Sequence, residues 1–283
     1  MIVREQGYVR WQGELRQGGG WKTIFLAGVR AIWKRRFAKA VLVANLLPFV
    51  FYLAALYVAT KPELRMFTHL VRLLSSDAAF FHSFFTNGFS YFWLLVLCIF
   101  GGADLIAGDL RHHSFVLYFS RPLSRWQYLL GKFAAVAFFP LLFTLGAGLL
   151  LVVFKGLFSG TWPVSLPVFG GVIGMSLGVT LFYSAMTLFF SSLSANVRLV
   201  SILTFLVFPL TETVGQAARA LSGNSHFLLL SLPENMPQVG ALIFRQPLRQ
   251  PFSPFLSLAV LAGVALLFAG VVWWRTGRLM EAT

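Results

Sequence analysis

Charge is what this chain has least of. Only 11% of its 283 residues are Asp, Glu, Lys or Arg, where a soluble domain carries about 25%. Hydrophobic residues make up 58%. Leaving that surface in water would cost roughly 25 cal/mol per Å², so lipid is the solvent for most of the chain. The single cysteine, Cys98, excludes an internal disulfide and reads as a small buried hydrophobe. No short apolar stretch with a small-residue cleavage site marks a secretory leader in the polar N-terminal segment. A phosphate-binding loop is also missing. The nearest run, Gly18-Gly19-Gly20-Trp21-Lys22-Thr23, has Trp21 and Arg16 where that pattern needs glycine. No histidine lies in an apolar run, so Ser176 and Ser184 have no base at membrane depth. Adjacent His112 and His113 diverge by about 100° on a helix, and His69, His82 and His226 are scattered, so no metal site is expected. No catalytic residue emerges.

What the chain does have is six apolar runs, at about 38–59, 89–107, 133–154, 168–191, 199–214 and 255–274. Each approaches the roughly 20 residues that cross a bilayer. They are continuous, which predicts helices and not an alternating barrel. The expected fold is an all-α polytopic membrane protein: an N-terminal segment over 1–37, then one six-helix domain over 38–276. An even number of spans puts both termini on one side. By this count 16 of the 23 Lys and Arg fall on that side: nine at or before the first span, four between spans two and three, one between four and five, and two at the end. The positive-inside rule makes that side the cytoplasm of a cell (inner or plasma) membrane. The basic residues read as topology anchors and lipid headgroup contacts, and no nucleic-acid partner is expected.

Upstream of span one, Trp21, Ile24, Phe25, Gly28, Val29, Ile32 and Trp33 repeat at three- and four-residue spacing. They predict an amphipathic elbow helix at the membrane interface, or a simple anchor there. Between the first two spans, Phe80, Phe81, Phe84 and Phe85 predict an interfacial or partner-packed helix capped by Ser76 or Asp77. The 215–254 segment lies outside the cytoplasm. It is too long to be structureless, and short re-entrant helices in the outer leaflet are expected.

The most informative stretch is the polar island at 101–132, the main cytoplasmic connection over 108–132. A short helix is expected from Asp109 to Phe119, ended by Ser120-Arg121-Pro122, with Ser124 capping the next helix and Arg125 and Lys132 anchoring it. Ionisable residues at membrane depth are functional candidates. Asp104 is expected to pair with Arg111 or Arg125, while Glu212, between Thr211 and Thr213, lines an exit path or faces external water. Asn45 and Pro48 mark a kink on the pathway or an interhelical hydrogen bond. Gly170, Gly174 and Gly178 form small-xxx-small steps, expected to pack within the subunit ahead of a dimer interface.

With Ile106-Ala107-Gly108-Asp109, Ser120-Arg121-Pro122-Leu123-Ser124-Arg125 and Gly131-Lys132, the island resembles that of the membrane subunits of type-2 ABC exporters. That family often has Glu followed by Gly-Thr four and five residues on; here Asp109, His113 and Ser114 stand instead. The Phe190-Ser191-Ser192-Leu193-Ser194 turn also looks similar. The resemblance implies a permease that pairs with a second copy or a paralogue through spans one and five. Two separate cytoplasmic ABC ATPase subunits would bind ATP and Mg, and this chain would bind no cofactor. It further implies that the island is a coupling helix whose Asp109, Arg111, His112, His113, Ser114, Ser120, Arg121, Pro122, Ser124, Arg125 and Lys132 dock in the ATPase. Few charges line the spans, so the substrate would be hydrophobic or amphipathic. A lipid-modifying membrane enzyme, or a membrane anchor or sensor for a cytoplasmic partner, are the alternatives.

Overall fold

The computed structural model describes residues 19–59, 76–115, 123–159 and 165–281. Among them every regular element is helical. Six helices are long and apolar enough to cross a membrane: Arg36–Val58, Gly88–Arg111, Arg125–Phe158, Leu166–Leu193, Val197–Ser222 and Pro254–Leu279. The chain is a multi-pass membrane protein. We call the end that carries the N-terminal helix the near end and the opposite one the far end.

The N-terminal helix, Gly20–Lys34, buries Ile24, Gly28 and Ile32 at four-residue spacing. Its partner is span three, and two glycines set the approach. A Cβ on Gly28 would meet Ala135 Cβ at 2.7 Å, and one on Gly131 would meet Ile24 Cβ at 2.7 Å and the Trp21 carbonyl at 2.8 Å. Small residues at both crossing points let the two backbones touch.

Span one breaks where the sequence marks it. Helix runs Arg36–Ala44, Asn45 turns, and helix resumes at Leu46. Pro48 has no N–H for the Ala44 carbonyl and its ring crowds that oxygen. Asn45 donates both its backbone N–H and its Nδ2 to the Val41 carbonyl at 2.9 Å. Span three is irregular too, with Pro140 in its helix and a π-turn over Leu142–Gly146.

Span four is the centre: it packs on spans two, three, five and six. Of its apolar window 61% is buried, against 11% for span five. Gly170, Gly174 and Gly178 face away from that packing, exposed and with nothing within 4 Å of a built Cβ. Their expected role in packing inside the chain is therefore corrected. Close approach falls to Gly171, whose Cβ would meet Phe244 at 2.7 Å, and to Gly102 of span two, whose Cβ would meet Thr187 at 2.6 Å.

At the far end the helix Asp77–Thr86, capped by Ser76 accepting from the Ala79 N–H, buries Phe80, Phe81, Phe84 and Phe85 inside the chain. It rests on span one through the Tyr52–Ser83 hydroxyl bond at 2.7 Å and on the helix Leu232–Phe244 through stacked Phe85 and Phe244. Lys155 of span three pairs with Asp77 at 2.8 Å and lies over the Phe80 ring. Buried Gln238 organises the strap before span six: its Oε1 accepts from the Arg249 and Gln250 N–H groups and its Nε2 donates to the Gln250 and Phe252 carbonyls.

Two outcomes follow for purified protein in detergent. Gly131→Ala forces the N-terminal helix off span three and lowers stability by about 1–3 kcal/mol. Gly174→Ala leaves thermal stability within about 0.5 kcal/mol. Equal melting temperatures for the two variants would contradict this packing. His82, whose Nε2 lies 3.2 Å from the Pro237 carbonyl, joins the two far-end helices. Burial holds its pKa below the ordinary value. The folded state therefore disfavours the imidazolium, and stability is full above about pH 6.5 and falls as pH drops below it. His82→Asn flattens that slope in a melting-temperature titration from pH 8 to 5.

Candidate functional site

The near ends of spans two and three carry a buried charge pair. Lys132 Nζ lies 2.7 Å from Asp109 Oδ2 and donates to the Leu105 carbonyl at 2.7 Å. Tyr128 donates its hydroxyl to the same carboxylate oxygen at 2.6 Å. Lys132 is 5% exposed and Asp109 9%, so neither presents its charge to a docking protein. Their expected role as direct ATPase contacts is corrected: they brace two spans from inside. The reason lies in span three, which begins at Arg125 and not near Phe133, so that Lys132 sits two turns within the helix. The capping box of Ser124 with Gln127 starts it there.

Span two likewise runs on to Arg111, and Asp109 belongs to its last turn. A continuous helix from Asp109 to Phe119 is not formed, because the chain turns at His112–Ser114. The Ser114 N–H bonds the Asp109 carbonyl at 2.9 Å and the His113 N–H bonds that of Leu110 at 3.4 Å. His113 takes φ of 50°. This is a Schellman end with His113 at the left-handed position that glycine usually fills. A non-glycine residue there costs about 1 kcal/mol of backbone strain. Arg111, His112 and His113 are exposed, and Arg111 donates to His112 Nε2 at 3.2 Å. Ser120, Arg121 and Pro122 lie outside the described residues.

Arg125 is half-buried against span six. Its guanidinium stacks on Trp273 of span six at 4.0 Å, over Gly277, where a Cβ would clash with it at 2.6 Å. Asp104 pairs with neither of its expected partners. Its carboxylate takes Arg35, the residue between the N-terminal helix and span one. Ser191 adds a clamp that charge patterns do not reveal. Its hydroxyl donates to the Ala103 carbonyl at 2.8 Å and accepts from the Ile106 and Ala107 N–H groups at 3.0 Å, entering the backbone ladder of span two.

The pathway candidates are not brought together. Asn45 and Pro48 line a cavity of about 30 Å³ with Ser90, Tyr91 and Thr144, and none of Thr211, Glu212 and Thr213 lines it. Glu212 accepts from Gln216 at 2.9 Å and from Ser231 at 2.5 Å, and the Thr211 hydroxyl accepts from the Leu232 N–H at 3.4 Å. Thr213 donates to the Pro209 carbonyl. Thr211 and Glu212 fasten span five to the start of the Leu232–Phe244 helix, whereas the Thr213 bond stays within span five. The larger opening is an apolar groove of about 650 Å³ between spans one, two and five, lined by Val96, Ile99, Phe100, Ile202, Phe205 and Leu206, with Arg35 and Asp104 at one margin.

Removing one partner of the buried pair tests the brace. Lys132→Met strands the Asp109 carboxylate and lowers stability by about 3–5 kcal/mol. Adding Asp109→Asn restores most of it, because no unpaired charge remains. Thermal unfolding of the two single variants and the double variant measures the coupling; strict additivity would rule the brace out.

A search of curated proteins found no match. A family described as ABC-2 family transporter protein matches residues 29–274, from the N-terminal helix to the last span. Six apolar helices, a near-end turn between spans two and three and this match agree: the chain belongs to the ABC-2 transporter family, as a membrane-spanning permease of an ABC transporter.

Proposed function

We propose that the chain is the permease subunit of an exporter, working as a pair, with two ATPase subunits docked on its near end in the cytoplasm. The observation that carries this reading is the brace behind the exposed turn. His112–Ser114 follows span two directly, and the Asp109–Lys132–Tyr128 cluster ties that end to span three. A push on such a turn moves two spans together, since separating them would strand a buried charge. The Lys and Arg excess at the near end supports the cytoplasmic orientation.

Pairing is supported by the open faces of spans one and five. Val43, Leu47, Val50, Leu210 and Val214 are all exposed in the single chain. The groove between spans one, two and five suits a hydrophobic or amphipathic substrate, with few polar groups to desolvate.

Co-purification with the cognate ATPase tests the docking. Placing two carboxylates on the turn by His112→Glu with His113→Glu is expected to weaken complex formation about tenfold and to abolish vanadate-sensitive ATPase coupling. Arg249→Glu at the far end leaves both intact. Unchanged complex and coupling in the double variant would overturn the assignment.

A further inference from the structure

Two openings meet at the near end. One is the apolar groove of about 650 Å³ described above, walled by spans two and five. The other is a cleft of about 470 Å³ lined by Arg111, Ala195, Asn196, Val197 and Arg198. Val197 lines both, so the apolar trough runs into a basic rim. The rim joins the last residue of span two to the first turn of span five.

The charges there are uncompensated among the described residues. Arg111 and Arg198 are exposed, and neither has a described carboxylate within ion-pair distance; Arg111 hydrogen-bonds the neighbouring His112 ring. Arg35, at the groove's margin, is already taken by Asp104. Two guanidinium groups above an apolar channel complement one kind of molecule that a membrane supplies. A guanidinium fork matches phosphate oxygens two at a time, and basic pockets between spans collect anionic headgroups.

We propose that this composite site binds an anionic phospholipid, with its phosphate between Arg111 and Arg198 and one acyl chain in the groove between Phe100 and Phe205. The proposal deepens the reading of the groove as a substrate surface by naming the ligand's chemistry. It does not depend on where the ATPase docks. The site is at headgroup level, because Arg111 ends span two and Val197 begins span five. Lipid bound there bridges spans two and five beside the His112–Ser114 turn.

Native mass spectrometry of the purified, delipidated chain tests this. Phosphatidylglycerol and phosphatidylcholine with identical acyl chains are titrated separately. Phosphatidylglycerol is expected to bind about tenfold more tightly. Arg111→Gln with Arg198→Gln brings the two lipids to within about twofold, whereas Arg219→Gln with Arg249→Gln keeps the preference. Arg198→Gln alone loses part of it, which covers the case of a poorly folded double variant. Phe205→Trp, which narrows the groove, weakens both lipids. Glycerol phosphate without acyl chains fails to displace the lipid. Four results would overturn the proposal: an undiminished preference in Arg198→Gln, complete displacement by glycerol phosphate, unaltered lipid binding in Phe205→Trp, or a lipid-free dimer that Phe205→Trp dissociates. Each leaves the permease reading standing. An ATPase complex left unchanged by His112→Glu with His113→Glu, with lipid binding intact, would sink the docking reading alone.

Discussion

A lysine taken out of water near the end of a membrane helix has to be matched at once, and the way Lys132 is matched organises the near half of this molecule. Its ammonium meets the Asp109 carboxylate and the Leu105 carbonyl, and the carboxylate also receives the Tyr128 hydroxyl. Burying either charge alone would cost several kcal/mol. Spans two and three therefore cannot slide past each other by a helical turn without stranding one of them. The neighbouring contacts make use of this fixed register. Gly131, next to Lys132, is where the N-terminal helix touches span three. Ser191 binds span two at Ala103, Ile106 and Ala107, within a turn of Leu105. Spans two, three and four and the N-terminal helix form one block on this account.

Spans one and five are held differently. Span five is mostly open, and span one is broken at Asn45 above a join at Arg35. The Arg35–Asp104 pair is partly exposed, with side chains 42% and 24% accessible, so water and salt weaken it. Between these two loosely held spans lies the apolar groove over span two. Under the proposed reading, a push at the near end would move this block against spans one and five, which wall the groove. Such motion needs no polar pathway residue in the bilayer centre. The far-end groups that looked like such residues, Thr211 and Glu212, are used up in fastening span five to the Leu232–Phe244 helix.

The spans, the break at Asn45 and the Ser124 cap were legible in the sequence, because each rests on local chemistry: apolar length, a proline four residues past a carbonyl, a serine before a helix. The misreadings share one cause, since they depend on what lies opposite. A scan for apolar runs stops at Lys132 as a charge, although a paired lysine is tolerated inside a helix. Gly170, Gly174 and Gly178 have the spacing of a packing seam, but spacing does not say which way a helix is turned, and Gly102 and Gly131 carry the close contacts instead. Asp104 finds Arg35, 69 residues earlier in the chain, where a local search offered Arg111 and Arg125. Ser191 stood in a familiar-looking turn, yet a hydroxyl that enters another helix's backbone leaves no mark in composition.

The end of span two shows why a short turn suffices as a lever under the proposed reading. A helix that frayed into a loose connection would absorb a push as bending. Here the Schellman bonds from Ser114 and His113 close the last carbonyls of Asp109 and Leu110, and the left-handed His113 fixes the direction in which the chain leaves. Asp109 thus serves two purposes: its backbone ends the helix and its side chain bonds span three. A displacement applied at His112–Ser114 reaches the brace within one helical turn, with no flexible joint between. The backbone strain at His113, about 1 kcal/mol, is small beside the several kcal/mol that parting the buried pair would cost. Under the proposed reading the buried pair therefore parts last, and the motion goes to spans outside the block, such as one and five.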